Sequence, residues 1–199
     1  AMLNKLNHST SFVGKVGVDI FGKQLESALK EVGIGTEGLV KDADVRTTLA
    51  FVHNLPDGDR ELSFYRNPGA DMMLSENELN EELLEMKKIF HYGSLSMTDE
   101  ICKKATMKAI EIAKEAGAVL TFDPNLRENL WNSLEEAREQ ILYGMSQCNV
   151  LKISDNEITW LTGLDSYDEG VSWIQERYPD IALILVSMGK DGSRAYTMN

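Results

Sequence analysis

The sequence predicts an α/β protein, a mostly parallel sheet flanked by helices on both faces, with a small β structure inserted near its start. Three observations carry that prediction. From Ser75 onward, helical segments with apolar residues at three- and four-residue spacing alternate with short apolar runs, the pattern of βαβ units. Several of these helices open on a Ser-x-x-Glu box, which satisfies amides that a helix N-terminus leaves without partners. Between Gly38 and Arg66 the pattern changes to two strand-like runs around a turn.

The elements follow in order. "SFVGKVG" reads as a short buried strand. "IFGKQLESALKEVG" reads as an amphipathic helix with Phe21, Leu25, Ala28, Leu29 and Val32 on one stripe and Gly33 as its stop. "TTLAFVHN" and "RELSFYR" form a hairpin, with Pro56, Asp57 and Gly58 in the connecting turn. "SENELNEELLEMKK" is a helix capped by Ser75 and Glu78, leading to the strand "IFHYG". The next helix places Ile101, Ala105, Ala109, Ile112 and Ala116 on one face, stops at Gly117 and leads to "AVLTF". A helix capped by Ser133 and Glu136 leads to "NVLKIS"; two shorter helices then precede "IALILVS". The resulting division is 1–37 as the start of the α/β core, 38–70 as the β insertion, and 71–199 as the core continued.

Composition excludes some functions. The net charge is -12, from 32 acidic and 20 basic residues, so no nucleic-acid or anionic-membrane surface is expected. The apolar run Ile181–Val186 is too short to span a bilayer, and "AMLNKLNHST" lacks a secretory signal's pattern. Cys102 and Cys148 have no CxxC spacing and read as reduced structural thiols of a cytoplasmic protein. His91, inside "IFHYG", reads as a hydrogen-bonded strand residue rather than a catalyst.

In parallel sheets, ligands bind beyond the carboxyl ends of the strands. Four segments are expected there: "YGS" at Tyr92–Ser94, "DPNLR" at Asp123–Arg127, "SDNE" at Ser154–Glu157 and "SMGKDG" at Ser187–Gly192. An extended backbone through Leu126 would turn Asp123, Asn125 and Arg127 to one side. Arg127 could instead pair with Glu128 or Glu135. Arg66, at the end of the hairpin, supplies a second guanidinium able to grip anionic or polar groups. Taken as residues alone, Ser154 and Glu157 form a helix cap and "SMGKDG" an ordinary hairpin turn, although its backbone amides could also follow a phosphate chain.

These segments together resemble the ribokinase-like (PfkB) carbohydrate kinases, and within them the fructokinases. The likeness rests on "FVGKVGVDIFG", "RTTLAFV", "FYRNPGADMML", "IFHYGSLS", "FDPNLRENLW", "LKISDNEITWLTG" and "LVSMGKDGS", in the family's order. It implies a ribokinase-like fold with a β lid, often used for dimerisation, to which residues 38–66 correspond. It implies an ATP-dependent kinase acting on the 6-hydroxyl of fructose with Mg2+ and K+, in the cytoplasm, as a possible homodimer through the lid. By the same resemblance Phe64, Arg66 and Arg127 face the sugar or the transferred phosphate, with Arg127 stabilising the transition state. Asp123, Asn125 and Glu157 lie near phosphates and magnesium, Glu157 reaching the metal through water. Ser154, Ser187, Gly189, Lys190, Asp191 and Gly192 line the nucleotide, and Ser154 stands where many members carry asparagine.

The family's opening strand with its Pro-Gly-Gly stretch, and its Gly-Ala-Gly-Asp loop bearing the catalytic base, have no counterpart in these residues. The chain is therefore expected to be part of a longer protein of about 310–320 residues. Two alternatives accompany this reading. One is a 2-keto-3-deoxygluconate kinase, with Arg66 and Arg127 on a substrate carboxylate. The other is a non-catalytic binding or dimerisation module.

Overall fold

The computed structural model describes residues 1–55 and 60–197, which fall into two units, Ala1–Leu83 and Leu84–Asn199. In the first unit a short helix, α1 (Met2–Lys5), precedes β1 (Ser11–Gly17), α2 (Ile20–Glu31) and β2 (Gly35–Asp42). β1 and β2 pair in parallel, so this is one βαβ unit. Asp19 caps α2, accepting the Gly22 N–H at 2.8 Å. A Cβ on Gly22 would meet the Gly17 carbonyl at 2.1 Å, so only glycine lets the helix start this close to the strand end.

The periodicity of α2 is as expected, but its stripe is not core. Phe21 and Leu25 are 44% and 49% exposed, and in β1 Phe12 is exposed as well. Spacing tells which side chains share a face; burial needs a second layer over that face.

β3 (Leu49–Asn54) and β4 (Arg60–Tyr65) form the antiparallel hairpin, in register from Leu49↔Tyr65 to Asn54↔Arg60. Its expected turn residues Pro56, Asp57 and Gly58 lie outside the described residues. Residues 38–42, placed in the insertion by the sequence, pair instead with β1 as part of β2. A short run such as "GLVKD" does not reveal whether its partner is parallel or antiparallel. The helix expected over 75–88 is broken into a 3-10 turn, Glu76–Glu78, and the short α3 (Glu81–Glu85), because the Asn80 side chain accepts the Leu83 N–H at 3.0 Å and starts a new helix. The Ser75–Glu78 capping box does form. Glu78 also binds Lys15 Nζ at 2.7 Å, with Asp42 on the same ammonium at 3.0 Å. Burial opposes that charge, yet the two carboxylates outweigh it and hold the Lys15 pKa above its ordinary value.

The second unit is a five-stranded sheet in the order β5 (Ile89–Gly93), β6 (Val119–Asp123), β7 (Val150–Ser154), β8 (Leu183–Ser187) and β9 (Ser193–Thr197). The first four strands are parallel and β9 is antiparallel to β8. Between the parallel strands run α4 (Glu100–Glu115), α5 (Leu134–Gln147), and the pair α6 (Asp155–Thr162) and α7 (Tyr167–Arg177). Right-handed crossovers between strands taken in sequence order carry these helices to one face, so within this unit the flanking helices lie on one side of the sheet where the sequence predicts them on both. The burial pattern agrees. Leu120, Phe122, Leu151, Ile153, Ile184 and Val186 are buried against the helices, whereas Ile89, Val119 and Leu185, which alternate with them, are exposed. Each fully buried aliphatic or aromatic side chain contributes roughly 1.5–3 kcal/mol.

Cys102 and Cys148 are buried, and burial pushes the Cys148 thiol up to about 12, which leaves it inert. His91 Nδ1 lies 2.8 Å from the Thr121 hydroxyl on the neighbouring strand, the strand role expected of it. Among the described residues no helix is long and apolar enough to cross a membrane.

Candidate active site

Parallel strands in one sheet end on one edge, and β5 to β8 end at Gly93, Asp123, Ser154 and Ser187. Gly93 faces Asp123 across β5 and β6, and Ser154 faces Ser187 across β7 and β8. The four strand-end segments expected from the sequence therefore do line one edge of the second unit.

Two of them are joined directly. Ser154 caps α6 through a full capping box: its hydroxyl accepts the Glu157 N–H at 3.2 Å, and Glu157 Oε2 accepts from Ser154 N at 2.9 Å and Oγ at 2.7 Å. The other carboxylate oxygen of Glu157 accepts the Leu126 N–H at 2.8 Å. One glutamate thus caps a helix and fixes the backbone of "DPNLR" beside it. The Ser94 hydroxyl donates to the Pro124 carbonyl at 2.5 Å and holds the same segment from the β5 side.

The side-chain fan expected at Asp123, Asn125 and Arg127 requires correction. β6 ends at Asp123, and Asn125 has φ +45°, in the left-handed region that asparagine tolerates. Simple strand alternation therefore does not set Asn125 and Arg127. Asp123 pairs with Lys152 of β7, Oδ2 to Nζ at 3.2 Å. Arg127 is half-buried and donates to the Leu126 carbonyl at 2.8 Å. Among the described residues it forms no ion pair with Glu128 or Glu135. Its charge is thus not cancelled by a neighbouring carboxylate, a condition for receiving an anion.

"SMGKDG" forms the tight turn between β8 and β9. Met188 donates to Gly192 at 2.9 Å, Asp191 to Met188 at 3.0 Å, and Gly189 and Gly192 take φ +54° and +96°. Lys190 and Asp191 are exposed at its tip. The local hairpin geometry is therefore present, as the residues by themselves suggest, and the turn also sits beside Ser154 on the strand edge.

Phe64 and Arg66 belong to the first unit. Phe64 is half-buried on β4, opposite Ala50. Arg66 follows β4 and is nearly buried, its side chain 7% exposed, with Nε 2.7 Å from Asp71 Oδ2. The Thr48 hydroxyl donates to Asp71 Oδ1.

The sequence reading missed Lys152, Asp71 and Thr48. Lys152 carried a signal: a lysine inside an otherwise apolar parallel strand calls for a partner. Asp71 and Thr48 carried none, because their meeting with Arg66 is tertiary. Among the described residues no three His, Cys, Asp or Glu side chains cluster as a metal cage. Glu157 and Asp123 supply hard carboxylate oxygens, and each oxygen has two lone pairs. They suit a cation that keeps most of its water rather than direct encirclement.

The profile of the pfkB family carbohydrate kinases matches residues 1–199. Fructokinase-1 of Zea mays is 47% identical over 194 residues, covering 98% of this chain and 60% of that protein. A fructokinase of Xylella fastidiosa with bound ATP superimposes with a TM-score of 0.87 at 32% identity, over 98% of this chain and 60% of that one. A Vibrio cholerae fructokinase holding fructose, ADP and calcium gives a TM-score of 0.88 at 28% identity, over 98% and 62%. The chain thus spans about 60% of the length of the proteins it matches. Its profile match and its ribokinase-like sheet with flanking helices agree: the chain belongs to the pfkB family of carbohydrate kinases.

Proposed function

We propose that the full-length protein transfers the γ-phosphoryl group of ATP to the 6-hydroxyl of fructose, giving fructose 6-phosphate and ADP. The observation that carries this reading is the shared strand edge, where Glu157 brackets "DPNLR" and leaves Arg127 without a carboxylate partner among the described residues. The similar fructokinases with bound ATP, fructose or ADP support the choice of substrates.

In the transfer, the bond from the sugar oxygen to the γ-phosphorus forms as the bond to the β–γ bridging oxygen breaks, and a base accepts the hydroxyl proton. Negative charge spreads over the transferred oxygens, so positioning and neutralisation are the chief demands on the protein. Arg127 is proposed to meet that charge, stabilising the transition state more than the reactants. Phe64 and Arg66 are proposed to face the sugar. Ser154, Ser187 and the turn Gly189–Gly192 are proposed to lie along the nucleotide, with Asn125 near the phosphates. Asp123 is not assigned as the base, because Lys152 already engages its carboxylate.

Mg2+ would neutralise phosphate charge, and Asp123 and Glu157 are the residues proposed to hold its water shell. K+ belongs to the same proposal as an activating ion, with no residue of this chain assigned to it. A homodimer through the β3–β4 hairpin is supported by the exposure of Phe51, Val52 and Tyr65. Action in the cytoplasm completes the reading and agrees with buried, reduced thiols.

The test is fructose-dependent ADP release by the full-length protein and by its Arg127→Ala variant. The reading predicts turnover in the first and strong loss in the second. Equal turnover in both would remove Arg127 from the site.

A further inference from the structure

We infer that Asp71, steadied by Thr48, is a positioning residue that sets the orientation of Arg66 and thereby the affinity for the sugar. The inference rests on the reading of Arg66 as sugar-facing.

A guanidinium is planar, with Nε and both terminal nitrogens in one plane. A carboxylate bound at Nε therefore fixes the plane and the direction in which the outer edge points. Asp71 makes that bond at 2.7 Å, to an arginine whose side chain is 7% exposed and has little room for another rotamer. The carboxylate is itself constrained. Its second oxygen accepts from the Thr48 hydroxyl, so rotation about its own axis would break one bond or the other.

The anchoring continues inward. Thr47, next to Thr48, is buried; its N–H and hydroxyl donate to Asp19 at 2.8 and 2.9 Å, and its hydroxyl accepts the Gly17 N–H at 2.9 Å. The turn that carries Asp71 is tied to the same loop by the Ala70 N–H on the Arg46 carbonyl at 2.8 Å. At Gly69 a Cβ would lie 1.7 Å from Thr48 Oγ1 and 3.1 Å from Arg66 Cγ, so only glycine admits both side chains to this meeting point. Three separate stretches of sequence are thus arranged around one guanidinium.

Stability alone is a weak reason for this arrangement. The Asp71 side chain is 41% exposed, so solvent screens its end of the pair with the nearly buried Arg66 and lowers what the pair contributes to folding. Orientation of a binding group is the property that such a chain of bonds preserves.

The experiment is steady-state kinetics on the full-length protein with Asp71→Asn, Thr48→Val, Arg66→Ala and the Asp71→Asn/Arg66→Ala double variant, each with a melting curve. Asp71→Asn keeps the shape and removes the charge. The expected result is a rise of about tenfold in KM for fructose, with kcat changed less than about twofold and KM for ATP unchanged. Thr48→Val gives a smaller rise in the same direction. On the Arg66→Ala background Asp71→Asn adds nothing, because its effect passes through that arginine.

The positioning role is overturned if Asp71→Asn lowers the melting temperature without moving KM for fructose, or raises KM equally with and without Arg66. If Arg66→Ala itself leaves KM unchanged, the sugar-facing reading of Arg66 falls and the inference falls with it. An unsubstituted protein without fructose-dependent turnover overturns both.

Discussion

Ser154 and Ser187 are partners across β7 and β8, yet the chain leaves these two strand ends in different ways. After Ser154 it enters α6 at once, and polar atoms of Ser154 and Glu157 form the cap and hold the Leu126 amide. After Ser187 it makes an exposed turn with two glycines at positive φ and returns as an edge strand. The first end is a bracket, in which local stability and the placement of "DPNLR" depend on the same carboxylate. The second is a surface whose backbone shape is fixed while its side chains point outward. On this comparison, substitutions at the bracket are expected to disturb turnover and folding together, and substitutions of the turn's exposed side chains to disturb nucleotide affinity alone.

The largest effect is expected beside the bracket. Arg127→Ala should lower kcat by about 10²–10³-fold with only a small change in melting temperature, since it removes charge stabilisation and a half-buried side chain whose described hydrogen bond is to the adjacent Leu126 carbonyl. Steady-state rates and a melting curve check both halves.

Next is Glu157→Ala, which loses the glutamate's half of the capping box and leaves the Leu126 amide without its acceptor. It should cost about 1–3 kcal/mol of stability and lower kcat about tenfold or more by loosening the segment that carries Arg127. Denaturant unfolding beside kinetics would show the two losses together; loss of only one would break the comparison.

In the turn, Gly192→Ala places a Cβ at φ +96°, and it should destabilise by about 1 kcal/mol while raising KM for ATP. Lys190→Ala is the mildest. It should raise KM for ATP by about threefold and leave kcat and the melting temperature unchanged, because Lys190 is exposed. A fall in kcat comparable to that of Arg127→Ala would place Lys190 at the reacting phosphate and erase the distinction.

The strand edge was legible because it follows from alternation. Once β5 to β8 are parallel, their ends must converge, and the Ser-x-x-Glu boxes mark where α5 and α6 begin. Three local features were not legible. The left-handed Asn125 sits after Pro124 in a segment whose shape is set by Ser94 and Glu157, residues far away in sequence. The apolar stripe of α2 was read correctly as a face, while its exposure depends on packing that periodicity does not encode. Arg66 was found at the end of its strand, but Asp71 and Thr48 were not, since their convergence depends on Gly69 and on the anchoring of Thr47. Motif residues could be read from the string. The residues that aim them needed the fold.

Phosphoryl transfer from ATP to fructose, as proposed, is tested most directly by incubating the full-length protein with MgATP and fructose and measuring ADP together with the sugar product. The expected result is ADP release that requires fructose and is matched mole for mole by fructose 6-phosphate. ADP release no greater with fructose than without it, and no phosphorylated sugar, would contradict it.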